Sequence, residues 1–234
     1  MNRLIKSVIA ALAIAAVSPA FADDVEDEGV VGWTPLALGI ATPVQLPWGI
    51  EKWDVFGLDA NFLYSDAPKM YGLGVGGLGL TTRDDMIGLG VGGLFNYASR
   101  DVYGLRATLG ANISRGTVYG LEAGLVSYHH IVRGVNAEFL GGLYDELYGV
   151  QASILVNAAR EMSYGWTVAG GVNIAHKAYG CQTAFVFNHA NILHGCQIAL
   201  INFADECEWG FQIGVINVIM SNKLKVLPIV NGYF

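Results

Sequence analysis

The side chains that could do chemistry are few, and most sit in the second half of the chain. His189, His194, Cys196 and Cys207 fall close together, with His176 and Cys181 just upstream. Imidazole and thiolate are the ligands zinc prefers. Their spacing, H-x4-H-x-C-x10-C, follows no zinc-site pattern. An export signal at the N-terminus would also place these thiols in an oxidising compartment. Paired or buried cysteines are therefore expected, and no metal. His129-His130 next to Tyr128, with Asp145 and Glu146 beyond, has the residue types for acid–base work. No nucleophile accompanies the pair, and an exposed connection is the expected setting. Gly72-x-Gly74-x-x-Gly77 and Gly88-x-Gly90-x-x-Gly93 match dinucleotide-binding spacing. A phosphate cradle needs a helix N-terminus after the glycines. Here each match lies inside a strand pattern followed by another strand, so small residues on a crowded sheet face are expected. No constellation points to an enzyme or to a cofactor.

Composition narrows the field further. The 234 residues are 53% hydrophobic and only 14% charged. Disordered chains have the opposite balance. Glycine, at 31 residues, is about twice its usual share, while proline is only 6. The net charge of −7 leaves no basic surface for phosphates, so nucleic acid is not an expected partner.

Residues 1–22 have the parts of a secretory signal peptide: basic Arg3 and Lys6, an apolar stretch from Ser7 to Val17, and the small-residue site Ala20-Phe21-Ala22. Residues 23–32 follow as an acidic tail, with Asp23, Asp24, Glu26, Asp27 and Glu28 repelling one another in water. Residues 33–234 read as a single β-repeat domain.

An aromatic or apolar residue followed by glycine organises that domain. The glycines are Gly57, Gly72, Gly88, Gly104, Gly120, Gly134, Gly149, Gly165, Gly180, Gly195 and Gly210, at spacings of 14 to 16 residues. Seven or eight residues later an Asn often follows, as at Asn96, Asn112, Asn157, Asn173, Asn188, Asn202 and Asn217. Two residues after the glycine come Gln151, Gln182, Gln197 and Gln212, with Arg106, Glu122 or Asn136 in earlier units. Within each unit apolar and polar residues alternate. Leu105, Ala107 and Leu109 face one way, and Arg106, Thr108 and Gly110 the other. Connections such as Thr82-Arg83-Asp84-Asp85 and Ser99-Arg100-Asp101 have turn chemistry.

The fold class is therefore all-β, built of about 15-residue strand repeats. Two architectures satisfy the pattern. In an antiparallel meander closed into a barrel of roughly 12 strands, the apolar face meets lipid. The lumen then takes Arg106, Glu122, Glu138, Gln151, Gln182, Gln197 and Gln212, and the aromatics form two girdles. In a parallel β-solenoid, equivalent Asn and Gln residues stack into ladders and the mid-strand charges face solvent. The barrel is the leading expectation and the solenoid its alternative. Cys181 and Cys196 occupy equivalent positions, so a bond between them belongs to the solenoid and a Cys181–Cys207 bond to the meander.

The units GCQIALIN (Gly195–Asn202) and GFQIGVIN (Gly210–Asn217) resemble the GLQLGLVN-like units of a bacterial secreted surface-repeat family. Pro43-Val44-Gln45-Leu46-Pro47, Val55-Phe56-Gly57-Leu58 and Leu227-Pro228-Ile229-Val230-Asn231 fit the same resemblance, which covers Trp33 to Phe234. It implies an exported, envelope-associated protein with no catalytic residues to carry over. The expected function is an outer-membrane barrel or surface protein with a structural or pore-like role, or alternatively a secreted solenoid for binding or adhesion. Outer-membrane lipid is the expected partner. The expected location is the outer membrane or cell surface of a Gram-negative-type bacterium.

Overall fold

The computed structural model describes residues 29–233; the signal segment, most of the acidic tail and Phe234 lie outside the described residues. Alternating side chains fold the chain into strands, and the strands stack on their own repeats. In chain order they are β1 (Gly32–Ala41), β2 (Val44–Leu46), β3 (Trp53–Ala67), β4 (Met70–Gly76), β5 (Gly79–Thr82), β6 (Met86–Gly92) and β7 (Phe95–Ala98). Then come β8 (Val102–Thr108), β9 (Ala111–Ser153), β10 (Val156–Ala169), β11 (Val172–Ala184), β12 (Phe187–Ile198), β13 (Ile201–Ile219) and β14 (Val226–Gly232).

Repeats pair in parallel, each one coil above the last. Gly57 pairs with Gly72, Gly72 with Gly88, and Gly88 with Gly104. Gly149, Gly165, Gly180, Gly195 and Gly210 continue the column. The chain is thus a parallel β-solenoid of about ten coils, not a barrel. Antiparallel pairing is confined to the ends, where β2 folds back on β1 and β14 closes on β13. These end strands cover the edges that an open stack would offer for further pairing. Pro228 sits in β14, the outermost strand, where a missing N–H is tolerated.

Each coil is flattened into two sides. The seven-residue strands β4, β6 and β8 stack into a long side, and the four-residue strands β5 and β7 stack into a short one. Between them lie two bends. The charged bend, such as Ser99-Arg100-Asp101, follows the short strand. The apolar bend, such as Gly93-Leu94, follows the long strand. From β9 onward hydrogen bonding runs through the charged bends, so one strand joins a short side to the following long side, and β9 and β13 cover more than a coil.

The repeat glycine lies inside the long strand rather than at its start. Its φ is between +126° and +159° in all eleven repeats, a region closed to residues with a Cβ. A Cβ on Gly120 would stand 1.8 Å from the carbonyl oxygen of Gly104 one coil below. The residues on either side of it share the outward face, as Ile87 and Leu89 do around Gly88.

The interior holds one layer of side chains from both sides. At the N-terminal end Met70, Leu80, Met86, Val102 and Val118 fill it. Further on Val132, Tyr144, Leu147, Leu193, Ala204 and Ile219 do so. Between these apolar columns run the polar ones.

Candidate binding face

The seven residues expected to line a lumen are all buried in the narrow interior: Arg106, Glu122, Glu138, Gln151, Gln182, Gln197 and Gln212. Neither a water-filled channel nor the solvated setting expected of a solenoid is their environment. They serve the fold by pairing with one another. Gln212 donates to the Gln197 amide oxygen at 2.7 Å, and Gln197 to that of Gln182 at 2.8 Å. A second ladder runs Asn157, Asn173, Asn188, Asn202 and Asn217, with steps of 2.8–3.0 Å. Each amide also donates to main-chain carbonyls, as Asn188 does to Gln182 and Ile198, both at 3.0 Å. Buried polar groups need such partners.

Where Gln gives way to Arg106, Glu122 and Asn136, the ladder becomes a charged cluster. Arg106 donates to Glu122 and, at 3.2 Å, to the carbonyl of Ile113. His129 Nε2 stands 2.5 Å from the other Glu122 oxygen. Burial alone would raise the Glu122 carboxyl, but Arg106 and His129 outweigh it and hold the group at about 2. Glu138 has no cation. Burial pushes it up to about 8, against the neighbouring Ser127 hydroxyl and a hydrogen bond from Gln151 at 3.3 Å, and repulsion from Glu122 adds to the rise. Asp59, near the start of the stack in the column of Arg106 and Glu122, is raised to about 6 by burial. His129 is therefore an interior residue, not the exposed turn residue its sequence neighbourhood implies. His130 is exposed and pairs with Asp145 at 2.7 Å.

The cysteines resolve as a stacked pair. Cys181 and Cys196 are register partners with Cα atoms 4.6 Å apart, and they form a disulfide. Cys207 is a buried free thiol in the apolar interior. No group of three or more His, Cys, Asp or Glu among the described residues is placed to hold a metal. The two Gly-x-Gly-x-x-Gly segments stack on each other in β4 and β6 and lead into bends and strands. Gly74 faces inward, where a Cβ would stand 2.2 Å from Met70 Sδ.

What the coils expose is apolar. The residue before each repeat glycine points outward, and where it is aromatic it mostly stacks on its neighbours. Phe56 lies on Tyr71 with ring centroids 4.5 Å apart, and Tyr103 on Tyr119 at 4.8 Å. Tyr148, Tyr164, Tyr179 and His194 continue the row at 6.2, 5.7 and 4.7 Å. Arg133 bridges the gap, its guanidinium 5.7 Å from the Tyr119 ring and 5.1 Å from that of Tyr148. The row lies along one side of the stack rather than as girdles at two ends. Beside it run Leu73, Leu89, Leu105, Leu121, Val135, Trp166 and Phe211, all exposed. The apolar bend adds Phe62, Leu78, Leu94, Leu109, Phe139, Ile154, Phe185, Leu200 and Val215, with Leu109 84% exposed.

Charge gathers on the other edge. Arg100 pairs with Asp84 across coils at 2.8 Å, Lys69 with Asp84 at 3.2 Å, and Arg160 with Asp145 at 3.4 Å. Asp85, Asp101, Arg115, Glu146, Glu161, Lys177, Asp205 and Glu206 lie in the same set of bends. The apolar bends between Phe62 and Ile216 contain no charged residue. The solenoid is thus amphipathic across its width. Sequence reasoning saw the apolar outward face but read its bends as strand, because Gly93-Leu94 and Phe185-Val186 carry no turn chemistry of their own. The chain matches no protein-family model, and no curated protein or solved structure is detectably similar to it.

Proposed function

We propose that this chain is an exported β-solenoid binding module that docks on a surface of the cell envelope and has no catalytic role. One observation carries the reading: a row of mostly aromatic residues and a row of mostly aliphatic ones run along the stack, met by an acidic side chain near the C-terminal end, where Glu208 pairs with His194 at 2.7 Å. Ten coil steps of about 4.8 Å and six residues of about 3.3 Å make that face about 50 Å by 20 Å. Monomeric soluble proteins seldom expose contiguous apolar patches beyond a few hundred Å². The carboxyl groups that burial raises most, Glu138 and Asp59, are inside the stack, out of reach of a substrate. The likeness of the Gly195–Asn202 and Gly210–Asn217 units to envelope-associated repeat proteins supports the same reading.

The test is co-sedimentation of purified residues 23–234 with bacterial envelope fractions. Wild type is expected in the pellet. A variant carrying Leu105→Lys and Leu121→Lys, both on the exposed face, is expected in the supernatant with an unchanged circular dichroism spectrum. A wild-type protein that stays in the supernatant overturns the proposal.

A further inference from the structure

We infer that the surface is a lipid leaflet, entered by the apolar bends while the charged bends stay in water. This rests on the reading of the chain as a surface-docking module. Three features select lipid over a flat partner.

The first is the order of side chains across the long side. Starting from the charged edge, one meets the Tyr and Trp row, then Leu and Val, then the Phe and Leu of the apolar bend. Tyr and Trp prefer the membrane–water interface, with aliphatic residues deeper. From the Tyr row to the bend is about six residues, or about 20 Å. A leaflet with its headgroups is about 20–22 Å thick.

The second is the backbone of the apolar bends. A chain segment in hydrocarbon must satisfy its own N–H and C=O groups. Here each bend hydrogen-bonds to the bend one coil away. Leu94 N donates to Leu78 O at 2.6 Å, Leu109 N to Gly93 O at 3.1 Å, and Leu125 N to Gly110 O at 2.8 Å. Ile154, Phe185 and Leu200 repeat the pattern at 3.1–3.3 Å.

The third is that apolar surface continues round the bend onto the short side, through residues such as Tyr97, Ile113 and Phe203. A second copy or a flat polymer covers one side. A fluid covers all three. The acidic balance of the chain gives no attraction for anionic headgroups, so the binding is apolar in origin.

The experiment is flotation of the purified protein with neutral phosphatidylcholine vesicles at about 0.1 M and about 1 M salt, where screening removes long-range charge effects. Wild type is expected to float at both. The variant Leu94→Asp/Leu109→Asp/Phe185→Asp, at exposed bend positions, is expected to float at least about tenfold less. A control with Glu161→Lys and Glu206→Lys, on the charged edge, is expected to float like wild type. Binding to envelope fractions without binding to vesicles overturns the lipid assignment and leaves surface docking standing. A stable dimer in solution that does not float also overturns the lipid assignment. Binding to neither overturns both.

Discussion

The Asn ladder provides the sharpest mutational test of the stacked interior. Asn188 Nδ2 lies 3.0 Å from the carbonyl oxygens of Gln182 and Ile198 and 3.0 Å from Asn202 Oδ1. Asn188 also accepts from Asn173 at 3.0 Å. Substituting Asp at this position keeps the shape and the acceptor but removes both donated protons. Two or more buried acceptors then lose their donor and face a carboxylate. At about 1–3 kcal/mol for each unsatisfied buried group, Asn188→Asp costs about 4 kcal/mol. For a chain of this length that lowers Tm by roughly 8–16 °C. Asn191 lies three residues on in the same coil and is only half-buried, so Asn191→Asp is expected within about 0.5 kcal/mol of wild type. Thermal denaturation followed by circular dichroism compares the two. If Asn188→Asp melts within about 2 °C of Asn191→Asp, Asn188 is not in a dry ladder and the interior described above is wrong.

Gly149 has φ +146° and its Cβ would stand 2.0 Å from Gly134 O, so Gly149→Ala is expected to yield insoluble or unfolded protein. Gly29→Ala, with nothing within 4 Å, is expected to express normally in the same solubility assay. Glu138 has its folded-state pKa raised from 4.5 to about 8, so its contribution is full below about 4.5 and lost as pH rises to about 8. Glu138→Gln is therefore expected to flatten the fall in denaturant midpoint between those pH values and to be more stable than wild type at pH 8, by a few kcal/mol. Equal slopes for the two proteins count against a dry Glu138. Arg106→Met strands Glu122 inside and is expected to cost about 3–5 kcal/mol, most of it recovered in Arg106→Met/Glu122→Gln, as a denaturant double-mutant cycle reads out.

Much of this fold is written in the chain. The glycine spacing gives the coil, and the alternation gives the strands. The equivalence of Cys181 with Cys196, and of Gln182 with Gln197 and Gln212, gives the columns. Strand direction is not written there. Period-two alternation is the same for parallel and antiparallel neighbours. The apolar bends deepen the ambiguity. Leu94 and Leu109 turn the chain because backbone bonds to the next coil hold them, not because their residues prefer a turn. A 15-residue unit of two strands and two bends therefore reads as one strand and one connection. Just after the repeat glycine, inside and outside are also exchanged relative to ordinary globular proteins. Gln and Asn satisfy each other in the core, leaving Leu105 and Leu121 outside, a pattern that composition alone assigns to a barrel in lipid. The glycine's role depends on the carbonyl of the coil below, which no single repeat contains.

The stacked parallel register is tested most directly by non-reducing peptide mapping of the oxidised protein. The solenoid predicts a Cys181–Cys196 disulfide, because these residues are partners on adjacent coils with Cα atoms 4.6 Å apart. It also predicts a free Cys207 thiol that reacts with alkylating reagents only on unfolding, since burial shields it and raises its pKa. A Cys181–Cys207 bond in the folded protein would contradict the account, since it is the pairing an antiparallel meander makes.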